Sequence, residues 1–156
     1  MGTVKERKFS KLLNQWVQSG PDEEKDDRKN VSETIKSLHK NHHYSLYINS
    51  KNISALPNVF DHLTHLVEAH ITNTNIQKLP NSFFKLANLE TLGLAENKLT
   101  HLPKNIEQLR KLSWLCLEDN MLTALPKKEL TTLPNLRELR CSKNIILDID
   151  CHLLEK

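Results

Sequence analysis

One run of residues returns along this chain at a nearly constant interval. LETLGLAENKLTHLP, Leu89 to Pro103, comes back as LSWLCLEDNMLTALP, Leu112 to Pro126. A looser copy, LVEAHITNTNIQKLP, runs from Leu66 to Pro80. The starts Leu66, Leu89, Leu112 and Leu136 are separated by 23, 23 and 24 residues. Inside each copy two apolar positions alternate as one face of a short strand does, followed by a polar residue and a second apolar set. A unit this short cannot bury its own apolar face, so the copies must stack and share one core. An apolar content of 38% is modest, yet it suffices where every unit feeds the same interior.

These residues resemble the leucine-rich repeat family, with its pattern L-x-x-L-x-L-x-x-N-x-L-x-x-L-P-x-x-I-x-x-L, over about residues 44 to 150. The resemblance implies an α/β solenoid, a short horseshoe with a parallel sheet on its concave side. It divides the chain into residues 1–43, an N-terminal helical hairpin cap, and residues 44–156, about five repeats.

The first unit is degenerate: Leu46, Ile48, Ile53, Leu56, Phe60 and Leu63 point inward, but Lys51 stands where the family has its bridging Asn. That Asn joins backbone groups of neighbouring turns, and a lysine, a donor only, cannot replace it. Thr74 in the second unit can both donate and accept and should serve in part. Asn97, Asn120 and Asn144 fill the position later. Leu89, Leu92, Leu94, Leu99, Leu102, Ile106 and Leu109 line the core in the third unit, and Leu112, Leu115, Leu117, Leu122, Leu125, Leu130 and Leu133 in the fourth. The fourth carries one extra residue near Lys127-Lys128-Glu129. Cys141 replaces an inward leucine of the fifth, Ile149 is expected inside, and IDCHLLEK is expected to add a closing helical turn with Leu153 and Leu154.

Before the repeats, Phe9, Leu12, Leu13, Trp16 and Val17 fall on one stripe at helical period, predicting a helix over 4–18. It either covers the open end of the stack or docks a partner or a membrane surface, and covering is what terminal repeats require. GPDEEKDDRKN, 20–30, holds no apolar residue and reads as a flexible charged linker. Asn30 and Glu33 resemble a capping box opening a second helix with Val31, Ile35 and Leu38 inside. His39, His42 and His43 end that helix. A helix continued that far aligns His39 with His43, but a metal site needs a third ligand and an ordered surround. Solvated histidines favoured by the helix C-terminus are the simpler reading.

Strand residues flanking the inward leucines face the inner curve in columns about 4.8 Å apart. One column holds Ser45, Glu68, Thr91, Trp114 and Glu138. The next holds Tyr47, His70, Gly93, Cys116 and Arg140. A third holds Asn49, Thr72, Ala95, Glu118 and Ser142, and beyond it lie Ser50, Asn73, Glu96, Asp119 and Lys143. The fold does not dictate these positions, so specificity can reside there. Trp114 is expected exposed beside a shallow depression at Gly93 and Ala95, with large area at little entropic cost. The alternative is that Trp114 packs over its neighbours and the charges pair across strands. Arg137, Arg140 and Lys143 form a basic edge facing Glu96, Glu118 and Asp119. Arg140 should lower the Cys116 thiol and Glu118 oppose it. His70 lies two strands from Cys116, about 10 Å, too far for a nucleophile pair.

The expected function is protein binding through Tyr47, Glu68, His70, Trp114, Cys116, Glu118, Glu138 and Arg140. No catalytic, cofactor or metal residue is assigned. Gly2, Gly20 and Gly93 are the only glycines, too few for a phosphate-cradling loop. A net charge of +3 does not suggest nucleic acid. The three cysteines, Cys116, Cys141 and Cys151, are an odd set suited to a reducing compartment. MGTVKERKFSKLL lacks the apolar run of a secretory signal, and no stretch suffices to span a bilayer. A cytoplasmic place follows, or a host cell, since the helical lead-in is similar to that of leucine-rich effectors delivered by pathogenic bacteria. The chain departs from the best-known effectors, whose units are nearer twenty residues with two prolines and which carry an appended ubiquitin-ligase domain. Frequent Asn, Lys and Ile suit an AT-rich bacterial genome. A monomer is expected. The competing class is a scaffold that dimerises through its C-terminal strand edge.

Overall fold

The computed structural model describes residues 3–146. Helix α1, Val4–Gln18, is opened by a capping box in which Glu6 N–H donates to the Thr3 hydroxyl at 3.2 Å and the Thr3 N–H donates to the Glu6 carboxylate. It buries Phe9, Leu13 and Trp16, with Leu12 and Val17 partly covered. A single 3-10 turn, Asp22–Glu24, leads directly into α2, Lys25–Asn41, which buries Val31, Ile35 and Leu38. The expected flexible linker is therefore ordered. Asn30 and Glu33 lie inside α2, so they cap nothing.

The segment holds because its charges are buried in partnership. Arg28 donates to Glu24 at 2.8 Å and to the Trp16 carbonyl at 2.8 Å, and its guanidinium lies 4.9 Å over the Trp16 ring. Burial pushes the Glu24 carboxyl up, but hydrogen bonds from Ser54 and Arg28 outweigh it and hold the group below the usual carboxylate range. Gly20 makes room: a Cβ there would stand 2.3 Å from Arg28 Nε.

Five strands follow, each one repeat on from the last: β1 Ser45–Asn49, β2 Glu68–Thr72, β3 Thr91–Gly93, β4 Trp114–Cys116 and β5 Glu138–Arg140. They form one parallel sheet in chain order. The register is the one the repeat length demands, pairing Tyr47 with His70, His70 with Gly93, Gly93 with Cys116 and Cys116 with Arg140. Short 3-10 turns, Phe60–His62, Asn81–Lys85 and Lys104–Gln108, return along the back. The fourth unit returns instead through a helix, α3, Lys127–Thr131, where its extra residue falls.

The inward leucines of units three and four are almost all sealed, and each fully buried leucine contributes about 2–3 kcal/mol. Leu125 is only partly covered, as are Leu136, Leu139, Cys141 and Ile146 toward the last strand. The expected closing turn with Ile149, Leu153 and Leu154 lies outside the described residues.

The polar position of each unit stitches it to the one before. Asn97 Nδ2 donates to the carbonyls of Ile71, Leu94 and Ala95 at 2.7, 2.9 and 3.1 Å. Asn120 and Asn144 repeat the pattern on Leu94 and Leu117. Thr74 contributes partly, donating its hydroxyl to Asn97 Oδ1. Lys51 does not join. Its ammonium turns to Asp27 of α2 at 3.4 Å, so the first unit is tied to the cap rather than to a ladder.

After each strand comes a non-glycine residue in the left-handed region: Ser50, Asn73, Glu96, Asp119 and Lys143, with φ between 51° and 56°. This conformation is unfavourable for a side chain. It persists because backbone N–H groups here reach the next unit, as Glu96 does to the Glu118 carbonyl at 3.0 Å.

Candidate functional site

The sheet turns Tyr47, Glu68, His70, Trp114, Glu118, Glu138 and Arg140 onto the concave face. They form one connected row. The Tyr47 and His70 rings stack at 5.3 Å and 4° between planes. His70 then meets Trp114 at 5.9 Å, although β3 lies between their strands. Arg140 rests 5.8 Å over the Trp114 ring.

His70 can cross β3 only because position 93 is glycine. A Cβ on Gly93 would stand 2.5 Å from His70 Nδ1. The expected depression at Gly93 is therefore filled by an imidazole. Trp114, in turn, is half-buried between His70 and Arg140 rather than bare. Tyr47 remains the most open member, 60% exposed.

Carboxylates brace the row from the side. Glu68 accepts from Tyr47 at 2.7 Å, from Ser45 at 3.0 Å and from His70 Nε2 at 2.9 Å. The tyrosine bond above all holds the Glu68 carboxyl below its ordinary range. Glu138 accepts from Arg140 Nε at 2.6 Å, which lowers the carboxyl and raises the guanidinium further, and the Trp114 indole assists. Lys143 pairs with Asp119 at 3.0 Å, and Ser142 donates to Glu118 at 2.6 Å. Of the expected basic edge, Lys143 thus pairs with the neighbouring unit and Arg140 within its own strand, while Arg137 lies apart, beside Glu90, Lys111 and Ser113.

Cys116 occupies the expected column but is only 5% exposed. Burial pushes its thiol up, and Glu118 accepts from it at 3.6 Å. Arg140 pulls down too weakly to reverse this. The thiol supports the row from beneath and offers a partner nothing. Five carboxylates, Glu68, Glu96, Glu118, Asp119 and Glu138, stand on this face and its rim against Arg140 and Lys143. The face is acidic in a chain of net charge +3.

Residue pattern alone did not show the roles of three residues, one on this face and two in the cap. Gly93 is a participant through its missing side chain, and being the single glycine of the repeats was the available signal. Arg28 and Glu24 were hidden in a stretch whose composition reads as solvent-facing. His42 and His43 are exposed as expected, but they share no helix face with His39, which is half-buried. α2 ends at Asn41, His42 is left-handed with φ 52°, and His39 packs against Phe9 at 4.4 Å. No group of three or more metal-ligating side chains converges among the described residues.

An open parallel sheet built unit by unit and carrying a preformed side-chain row is a repeat solenoid of the kind typical of protein–protein interaction modules. The chain belongs to the leucine-rich repeat family: the leucine-rich repeat region family matches residues 59–151, more than half its length. Such domains are generally non-enzymatic. No curated protein matches the chain.

Among solved structures it is similar to the leucine-rich repeat protein LIC12759 of Leptospira interrogans, at 33% identity and a TM-score of 0.63. That match covers 68% of this chain and 27% of the Leptospira chain. The leucine-rich repeat domain of the type III effector XCV3220 (XopL) matches at 19% identity and a TM-score of 0.64, covering 94% of this chain and 61% of that one. A Shigella effector leucine-rich repeat domain matches at 20% identity and 0.71, covering 95% and 69%. The last two likenesses concern the fold. No helix among the described residues is long and apolar enough to cross a membrane.

Proposed function

We propose that the chain binds a protein partner on its concave face, through the row Tyr47, His70, Trp114 and Arg140 flanked by Glu68, Glu118 and Glu138. The observation that carries this reading is the continuity of that row across five strands, braced by side chains already paired. Little order remains to be imposed on docking, which is how a preorganised surface gains affinity. Tyr, Trp and Arg are also the residue types that dominate interface energetics. The acidic excess favours a partner that presents lysine or arginine over the rings. Residues 1–43 serve in this reading as the cap of the repeats in 44–156.

A photo-crosslinking residue at Ala95, on the concave side, is compared with one at Gln77 for capture of partners from bacterial and host-cell lysates. The Ala95 probe is expected to yield a discrete adduct that Trp114→Ala and Arg140→Glu abolish while far-UV circular dichroism is unchanged. Equal adducts from both probes, or recovery indifferent to both substitutions, move the site off this face.

We further infer a bacterial effector acting on host proteins. The shared fold with two effector domains and the 33% identity to a Leptospira protein support this reading. A reporter fusion delivered into cultured host cells by a secretion-competent strain tests it. Failure to translocate in every secretion background removes it.

A further inference from the structure

Five of the eight histidines, His39, His42, His43, His62 and His65, gather where the cap meets the first repeat. His39 and His62 are 23 residues apart, as are His42 and His65, so the repeat period extends back into the last turn of α2. The pairs lie against one another. The His39 and His62 rings are 6.1 Å apart, and His42 meets His65 at 5.2 Å. His39 Nδ1 stands 3.2 Å from the His62 carbonyl, and Phe9 of α1 packs on both rings at 4.4 and 5.2 Å.

The surroundings already carry a small excess of positive charge. Glu6, Lys36 and Lys40 lie beside His39 and His42. Lys8, Asp61 and Lys85 lie beside His62. With Glu33, which pairs Lys36 at 2.8 Å, four lysines face three carboxylates before any imidazole is protonated.

We propose that this junction is a pH-sensitive clasp: the neutral His65 imidazole, packed against His42, holds the end of α2 onto the first repeat, and its protonation as pH falls from about 7 to about 5 lifts the cap before the repeats unfold. Burial, and then the charges of His42 and His39, hold His65 below its ordinary value, while backbone groups at Leu38 and His43 only partly offset this. A histidine held down in the fold gives stability that is complete above its unfolded value of about 6.5 and declines as pH falls through it. Glu24, held below the usual carboxylate range, titrates beneath this window. Lifting uncovers the apolar faces of Phe9, Leu13 and Ile35, now sealed.

Hydrogen exchange read by mass spectrometry and corrected to protection factors tests the clasp. Between about pH 7 and pH 5, protection of α1 and α2 is expected to fall about tenfold, within what the uptake of one proton across this interval permits, with β3 and β4 changing less than about twofold. His65→Gln and the pair His42→Gln/His65→Gln, each compared with wild type at neutral pH, are expected to flatten the fall. The exposed His101→Gln should retain it. The clasp is refuted by cap and repeats losing protection together, by no fall at all, or by a fall that survives in whichever His65 variant folds.

Discussion

Arg28→Met tests the buried ion pair that ties the two cap helices together and holds Glu24 for its bond to the first repeat. In the native protein the Arg28 and Glu24 side chains are 6% and 7% exposed, and the second Glu24 oxygen accepts from the Ser54 N–H of the first repeat at 3.1 Å. Removing the guanidinium leaves a carboxylate buried without its cation and the Trp16 carbonyl with the Ser19 hydroxyl but without its charged donor. Breaking a buried pair from one side costs about 3–5 kcal/mol. Against a domain stability of about 5–15 kcal/mol that is a large fraction. Glu24→Gln/Arg28→Met removes both charges and should recover to within about 1–2 kcal/mol of wild type, since an apolar replacement of both partners is often near neutral.

Urea denaturation in a Trp114→Phe background reports the cap through Trp16 alone, and far-UV circular dichroism reports the whole chain. The single variant is expected to lose the Trp16 signal at much lower urea. The carboxyl's lowered value adds a pH signature. Stability from the pair is present above the unfolded carboxyl value of about 4.5 and is lost as pH falls through the folded one. Wild type should therefore lose it in acid and the double variant should not. A single variant within about 0.5 kcal/mol of wild type, or a double variant worse than the single, refutes the assignment.

Gly93→Ala is expected to cost about 1 kcal/mol by expelling His70 from its contact with Trp114. In a His70→Ala background the same change should be neutral or stabilise by about 0.4–1 kcal/mol, and equal costs in a thermal double-mutant cycle would contradict the crossing. Asn97→Leu takes the ladder donor from the Ile71 carbonyl, while Leu94 keeps that of Asn120, and should cost about 1–3 kcal/mol, lowering the melting temperature by roughly 3–9 °C; a calorimetric shift below about 2 °C would mean the ladder is dispensable.

The sheet register was legible because counting is enough. Steps of 23, 23, 23 and 24 residues place Tyr47, His70, Gly93, Cys116 and Arg140 in one column, and the strands pair in that way. The columns did not reveal that His70 leans over Gly93, since a side chain's tilt depends on the space its neighbour leaves. Nor did they show Trp114 half-covered or Cys116 sealed, because burial depends on what neighbouring strands bring over a position. The 20–30 segment misled for a related reason: Glu24, Asp27 and Arg28 look solvent-facing until Ser54, Lys51 and Trp16 arrive as partners.

By its sequence alone this chain is committed to stacked units with leucines inside and a free outer column. That follows from a periodic apolar pattern, which is local and repeats its own solution. The tertiary structure alone decided which outer residues act together, how the cap is clasped, and where the histidines meet. These depend on contacts between residues a full repeat or more apart, and no local pattern specifies the rotamers and docking angle that bring them within reach.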